Sequence, residues 1–321
     1  MVRKKVSPVI IHNVYQCMKN CCSLSDHHRL SLIRERKISL ARIEQDYFTC
    51  PTNWRQKDAI ITRIKEKYPD YTEEILMDIP GFFYDKKRGK LSFTGYKGLG
   101  ILIRNSDSRI VAIQIRKDTI QEGDSRYIWF SSTFATYNPD EYNGGNGCGS
   151  PKDVCYPSMI KKHTLCITEG RFKSEKLTES GNISISVQGV TSWHGIEDTI
   201  RHMKGIHNVF IFFDADILGK HVLFMQSEKM IRKIQDEFPG LYIRYAFWSK
   251  QNGKGIDDCI IAGNISKVKY YEAKRAAKIC NDAYTHALAE YHVANLRELE
   301  QERAKEFEDY LQILTESMLG L

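Results

Sequence analysis

The sequence predicts an α/β protein: a parallel sheet flanked by helices, preceded by a small α+β lobe and an N-terminal helical unit, and followed by a helical tail. Three observations carry that expectation. After residue 160, short apolar runs alternate with helical patterns, as in HTLCITEG, FKSEKLTES, ISISVQG, GIEDTIRHMKG, NVFIFFDAD, HVLFMQSEKMIRKIQDEF and LYIRYAFW. Runs such as VFIFF are apolar throughout instead of alternating, which suits strands buried on both faces by crossover helices. Upstream, GILIRN and RIVAIQIRK alternate with period two around residues 105–108 and read as a β-hairpin, with RYIWFSS as a third strand.

The elements fall into four stretches. Residues 1–80 are rich in Arg, Lys and Ile, and HHRLSLIRERKISLARIEQDYF spaces its apolar residues for a helix, so this part is predicted to be a helical unit. Residues 81–160 form the basic α+β lobe. Near its end NPDEYNGGNGCGSPKD, rich in Gly and Asn and poor in apolar side chains, reads as a loop and a boundary. Strand–helix alternation fills 161–264. Residues 265–321 lack Pro and carry Gly only at position 320. With i, i+4 charge pairs in RELEQERAKEFEDY and a stripe of Leu296, Leu299, Phe307 and Leu311, they are expected to form an extended helical appendage for partner docking or self-association.

Composition narrows the class. A chain of 321 residues has room for two domains, and 42% hydrophobic with 27% charged residues is close to the globular mean, which argues against disorder. No apolar run approaches the roughly 20 residues needed to span a bilayer, and MVRKKVSPVIIHNVY lacks the apolar core of a signal peptide. The chain is therefore expected to be cytoplasmic, with no membrane partner. Nine scattered cysteines, an odd number, read as reduced thiols. Cys17, Cys21, Cys22 and Cys50 with His27 and His28 offer a CxxxCC spacing without a second knuckle, which argues against zinc. The two histidines are expected on the surface at a helix start. A net charge of +7 permits an acidic partner such as nucleic acid.

Chemistry is concentrated in the placement of carboxylates. Glu169 closes the strand LCIT ahead of Gly170, and Asp214 and Asp216 close VFIFF. In an open α/β sheet ligands bind at the carboxyl ends of strands, so the three acids are expected to meet there. The i, i+2 spacing would put both aspartates on one side of an extended strand end. Three carboxylates in one space repel each other, and the natural compensation is a hard divalent cation, Mg²⁺ or Mn²⁺. Plainer readings exist: Glu169 could serve a helix N-terminus, and one of Asp257 and Asp258 in NGKGIDDCI could cap a helix. Arg104, Arg109, Arg116, Lys117 and Arg126 sit on adjacent predicted strands, as either a phosphate-binding groove or a solvated face. Trp193 reads as a core residue beside a surface His194.

A strand ending in TEG, about 45 residues later a strand ending in DxD, and then a strand followed by an acidic pair resembles the Toprim domain of primases, topoisomerases and some nucleases. GKGIDD is similar to replication-associated Toprim proteins of plasmids, phages and integrative elements. GILIRNSDSRIVAIQIRKD followed by SRYIWFSS resembles the catalytic core of DnaG-type primases, and the match spans about residues 85–262. The resemblance implies a primase-like nucleotidyltransferase that synthesises a primer on single-stranded DNA from nucleoside triphosphates. It implies Mg²⁺ or Mn²⁺ on Glu169, Asp214 and Asp216, with Asp257 and Asp258 as outer metal contacts. By the same resemblance Arg116 and Arg126 take the positions of basic residues that face template and nucleotide phosphates, and by analogy the tail would dock a replicative helicase. Arg104 and Lys117, on the same predicted strands, are further phosphate-binding candidates, and Lys173 could touch a phosphate as a point charge. There are departures. The primase pattern has Asp where Lys173 stands, and no zinc ribbon precedes the core. A Toprim metal-dependent nuclease and a non-catalytic nucleic-acid-binding replication or defence component stay open. A topoisomerase is disfavoured because no strand-breaking tyrosine stands in a recognisable context.

Overall fold

The computed structural model describes residues 6–321, and the chain divides into a unit ending at Pro151 and a unit beginning at Lys152. The first contains β1 (Tyr47–Thr49), β2 (Phe82–Asp85), β3 (Lys90–Phe93), β4 (Gly98–Arg104), β5 (Ile110–Lys117), β6 (Tyr127–Trp129) and β7 (Tyr142–Gly144). They build two antiparallel sheets, ordered β1-β4-β5-β6 and β3-β2-β7. The expected hairpin is β4–β5, turning through Ser108 at φ 61°. Helices Pro8–Asn20 and Trp54–Lys67 pack Val14, Tyr15, Ile60 and Ile64 against Phe82, Phe93, Leu102, Ile113 and Phe130. Ser7 caps the first helix and Pro8 opens it, where proline's missing N–H costs nothing.

Three expectations change here. Residues 1–80 are not purely helical, because β1 pairs with β4 and joins the sheet of the following lobe. A three-residue strand is too short to break the helical periodicity that surrounds it. The Asn- and Gly-rich segment is not all loop: it contains β7 and ends inside the strand Asp153–Cys155, both too short and polar to stand out as apolar runs. His27 is exposed as expected, but His28 is buried, its ring nitrogens 2.8 Å from Thr49 Oγ1 and 2.8 Å from Asp118 Oδ1.

The second unit holds β8 (Asp153–Cys155), β9 (Thr164–Thr168), β10 (Ile183–Ser186), β11 (Asn208–Phe212), β12 (Tyr242–Phe247) and β13 (Lys269–Glu272). They form one sheet in the order β13-β12-β11-β9-β10-β8. The four central strands are parallel, and β8 and β13 close the edges antiparallel. Helices Arg171–Thr178, Ile196–Arg201 and His221–Glu237 follow β9, β10 and β11 as the alternation predicts. The core gathers Leu165, Ile167, Ile185, Val209, Ile211, Phe224, Ile231 and Tyr245. Among the described residues no helix is long and apolar enough to cross a membrane.

The tail is not an extended appendage. It supplies β13 to the sheet edge, and helix Ala273–Glu290 buries Ala273, Ala276 and Cys280 in the same core as Ile231 and Tyr245. Helix Gln301–Leu319 returns, laying Phe307 and Leu311 on Ala283 and Ala287 and sending Leu319 into the main core. An amphipathic stripe says that one face must be covered but not by what, and here the cover is the chain's own sheet unit.

Ending the chain at Asn264 should therefore cost the unit its cooperative fold. Burial of Phe307, Leu311 and Leu319 alone is worth about 1.5–3 kcal/mol per side chain, comparable in sum with the about 5–15 kcal/mol that hold a domain together. The expected outcome is a flat circular-dichroism melt and bound hydrophobic dye. A sharp melt near that of the full chain would show the tail to be separable.

Candidate metal centre

Strand pairing brings two of the three predicted acids together. β9 and β11 are parallel neighbours with Thr168 opposite Phe212, so the residues that follow leave the sheet at the same edge. Thr168 Oγ1 donates to the Phe212 carbonyl at 2.7 Å and locks that register. Glu169 Oε1 accepts from the Asp214 N–H at 3.4 Å, a long contact. Gly170 turns the chain into helix Arg171–Thr178 at φ 145°, a conformation that disfavours any side chain. Burial pushes the Glu169 carboxyl up, Lys173 opposes the rise, and the neighbouring Asp214 and Asp216 add to it.

Lysines hold these acids. Lys173 Nζ forms an ion pair with Asp214 Oδ1. Burial disfavours the Lys173 ammonium, yet Asp214, Glu169 and Asp257 together push its pKa above the usual lysine value. Asp216 pairs with Lys220 at 2.8 Å and Lys254 at 3.5 Å, and although burial opposes them, these cations keep its pKa below the usual carboxylate value. Lys220 and Lys254 were not picked out from the sequence, where i+4 and loop lysines look like ordinary solvated charge.

The two aspartates are not spaced by strand geometry, which is a correction. β11 ends at Phe212, and Asp216 lies in the 3₁₀ turn Ala215–Gly219. The turn is held by the Ala215 N–H, which donates to the Lys254 carbonyl at 2.9 Å. Around Gly255 the packing leaves no room: a Cβ there would collide with Asp257 Oδ1 and lie 2.9 Å from Lys173 Cε and 3.5 Å from Asp214 Oδ1. Asp257, buried in the first turn of helix Ile256–Ile261, thus belongs to the cluster. Asp258 does not. It is exposed, and its carboxylate accepts from the Gly255 N–H at 3.3 Å as a helix cap, because consecutive helical residues point in different directions.

Sequence reasoning also missed Arg171, which is buried and donates to Glu175 at 2.8 Å and to Asp153 at 3.0 Å. It ties the helix carrying Lys173 to β8. Among the described residues no three His, Cys, Asp or Glu side chains are already gathered as a ligand set. Yet Asp214 Oδ1 is a buried carboxylate oxygen answered by the Lys173 ammonium. Carboxylate oxygens in need of positive charge fit a hard divalent cation.

The basic strand residues separate. Arg104 is buried, its Nε donating to Asp46 at 2.7 Å and its Nη1 to the Ser108 carbonyl at 2.8 Å. It braces the β4–β5 turn and is not a phosphate ligand, since its charge is spent on a fully buried aspartate. Lys117 pairs with Asp124 at 2.5 Å, Arg109 pairs with Asp107, and Arg126 is exposed. Arg116 is half-buried, and its Nε–H donates to no acceptor among the described residues. Arg116 and Lys117 share β5, and Arg126 directly precedes the neighbouring strand β6. Trp193 is buried and stacks on the exposed His194 at 4.2 Å.

A family model described as a domain of unknown function, DUF3854, matches residues 156–266. No curated protein matches. Among solved structures, the chain is similar to the RNA polymerase domain of Mycobacterium tuberculosis primase DnaG, at 16% identity and TM-score 0.58, over 94% of this chain and 97% of that one. A DNA primase domain from Pseudomonas aeruginosa gives 13% identity and TM-score 0.56, over 95% and 99%. A DnaG primase catalytic domain bound to single-stranded DNA gives 13% and 0.52, over 95% and 99%. These likenesses show the fold, a mixed α/β architecture resembling primase catalytic cores.

The charge arrangement gives a pH signature in metal-free protein. A carboxyl raised in the folded state holds its proton longer there than in the unfolded chain, so stability falls as pH rises from 4.5 through the raised value and stays reduced above it. Glu169→Gln should remove that loss. In EDTA its melting temperature should exceed the wild type's at neutral pH, with the gap closing toward pH 4. A variant less stable than wild type at pH 7 would contradict the assignment.

Proposed function

We propose that this chain is a Toprim-type, primase-like nucleotidyltransferase that synthesises a primer on single-stranded DNA from nucleoside triphosphates. The observation that carries the reading is the meeting of Glu169, Asp214 and the Asp216 turn at the carboxyl ends of adjacent parallel strands, in a fold similar to primase cores. The neighbour bound to single-stranded DNA supports that choice of template. The GKGIDD pattern supports a setting in the replication of mobile elements or phages.

On this reading Glu169, Asp214 and Asp216 hold Mg²⁺ or Mn²⁺, with Asp257 behind them as an outer contact. The cation, when bound, polarises phosphate oxygens and favours attack by a 3′-hydroxyl. The chain's own residues do the rest. Lys173 pairs with Asp214, Lys220 and Lys254 pair with Asp216, and the three hold positive charge at the sheet edge, where a triphosphate would need it. Arg116, Lys117 and Arg126 offer cations on one small sheet to the template backbone.

Incubation with a single-stranded template, ribonucleotides with deoxynucleotides, and Mg²⁺ or Mn²⁺ tests the reading. Template-dependent products are expected, and Asp214→Asn or Asp216→Asn should lower the rate at least about a hundredfold while leaving the fold intact. Degradation of the template would instead assign a Toprim nuclease. Binding without either product would assign a non-catalytic component.

Salt dependence tests the basic strand separately. Arg116→Ala and Arg126→Ala should each flatten the slope of log K against log salt by about one. Slopes matching the wild type would return both residues to a solvated face.

A further inference from the structure

We infer that helix Gln301–Leu319 is the positioning element of the acidic centre, with Gln312 setting the separation of Asp214 and Asp216. The inference rests on the reading of those aspartates as metal ligands. It starts from the residue between them. Ala215 is held at both of its peptide groups, its N–H by the Lys254 carbonyl and its carbonyl by Gln312 Nε2 at 3.1 Å. At the far end of the same turn the Gly219 N–H donates to Gln312 Oε1 at 2.8 Å. One buried carboxamide thus answers the acceptor at the start of the turn and the donor at its end. A carboxamide carries a carbonyl acceptor and an N–H donor on one carbon in one rigid plane, and Asn, which shares that group, is one methylene shorter.

Gly219 lets the helix come that close. A Cβ on it would lie 2.5 Å from the Glu308 carbonyl oxygen and 3.2 Å from Gln312 Cβ. One turn further along the helix, Glu316 Oε1 accepts from Gln312 Nε2 at 2.7 Å and from the Lys250 N–H at 3.0 Å. Its other oxygen accepts from Ser249 Oγ at 2.8 Å. Lys250 begins the segment that leads to Lys254, Gly255 and Asp257. A single helix face therefore braces both loops that carry the acids. A helix that merely filled the core would need Phe307, Leu311 and Leu319 but not this polar pair.

Gln312→Leu keeps most of the side-chain volume and removes all three hydrogen bonds of the carboxamide, the two to the turn and the one to Glu316. Phe307→Leu loosens the same helix against Ala283 and Ala287 without touching the turn, and it controls for lost stability. Mn²⁺ titration followed by electron paramagnetic resonance should show affinity weakened about tenfold or more in Gln312→Leu and within twofold of wild type in Phe307→Leu. Hydrogen exchange of the metal-free proteins should show the Gly219 amide opening faster in Gln312→Leu alone. Wild-type affinity in Gln312→Leu, or an equal loss in both variants, would overturn the proposal. If the wild-type chain takes up no Mn²⁺, the metal reading fails by itself; exchange at Gly219 then decides the brace, and a rate unchanged by Gln312→Leu overturns it.

Discussion

Negative charge taken out of water must be answered nearby, and at the carboxyl edge of the second unit's sheet that demand organises the surroundings. Glu169, Asp214, Asp216 and Asp257 crowd there because strand pairing, a 3₁₀ turn and a helix start deliver them to one edge. Lys173, Lys220 and Lys254 answer them, and each comes from a different element. The cost of burying unpaired carboxylates explains why lysines as well as acids are held in place. Arg171 extends the logic one layer outward, pairing with both Asp153 and Glu175 so that the helix bearing Lys173 stays against the sheet.

Lys173 gives the centre its particular character. Its ammonium shares a small volume with Asp214, Asp257 and Glu169, and Gly255 has no side chain because that volume is already filled. A lysine there supplies fixed positive charge that does not depend on metal concentration. The Arg104–Asp46 pair, more deeply buried, joins the hairpin to helix Leu40–Asp46, whereas Lys173 faces a cluster of acids.

Much of the second unit was legible because continuous apolar runs and amphipathic helices leave strong periodic signals. The strands around VFIFF and TLCIT, and the acids that end them, follow from that pattern. Three short strands were not legible: Tyr47–Thr49, Tyr142–Gly144 and Asp153–Cys155 have three residues each, whereas the equally short Tyr127–Trp129 shows because RYIWFSS lengthens its apolar run. The i, i+2 argument for Asp214 and Asp216 failed because the strand stops two residues early and a turn takes over. The tail was misread for another reason. Its helices were foreseen, but Ala276, Ala283 and Ala287 look neutral in sequence, and only close packing shows that their small size admits the sheet unit and the returning helix. Gln312 carried no signal at all, since a glutamine on a charged helix is ordinarily solvated.

The contacts between the acidic turn and the last helix span 93 and 97 residues of chain. Synthesis runs from the N-terminus, so while the ribosome is still making residues 255–311 the aspartates exist, the strands that carry them can pair, and the turn between them has Lys254 but not yet the last helix to hold it. Closing so long a loop also has an entropic cost that local hairpins avoid, which places this step late in folding. The acidic turn is thus among the last parts of this unit to be fixed, since its brace waits for Gln312.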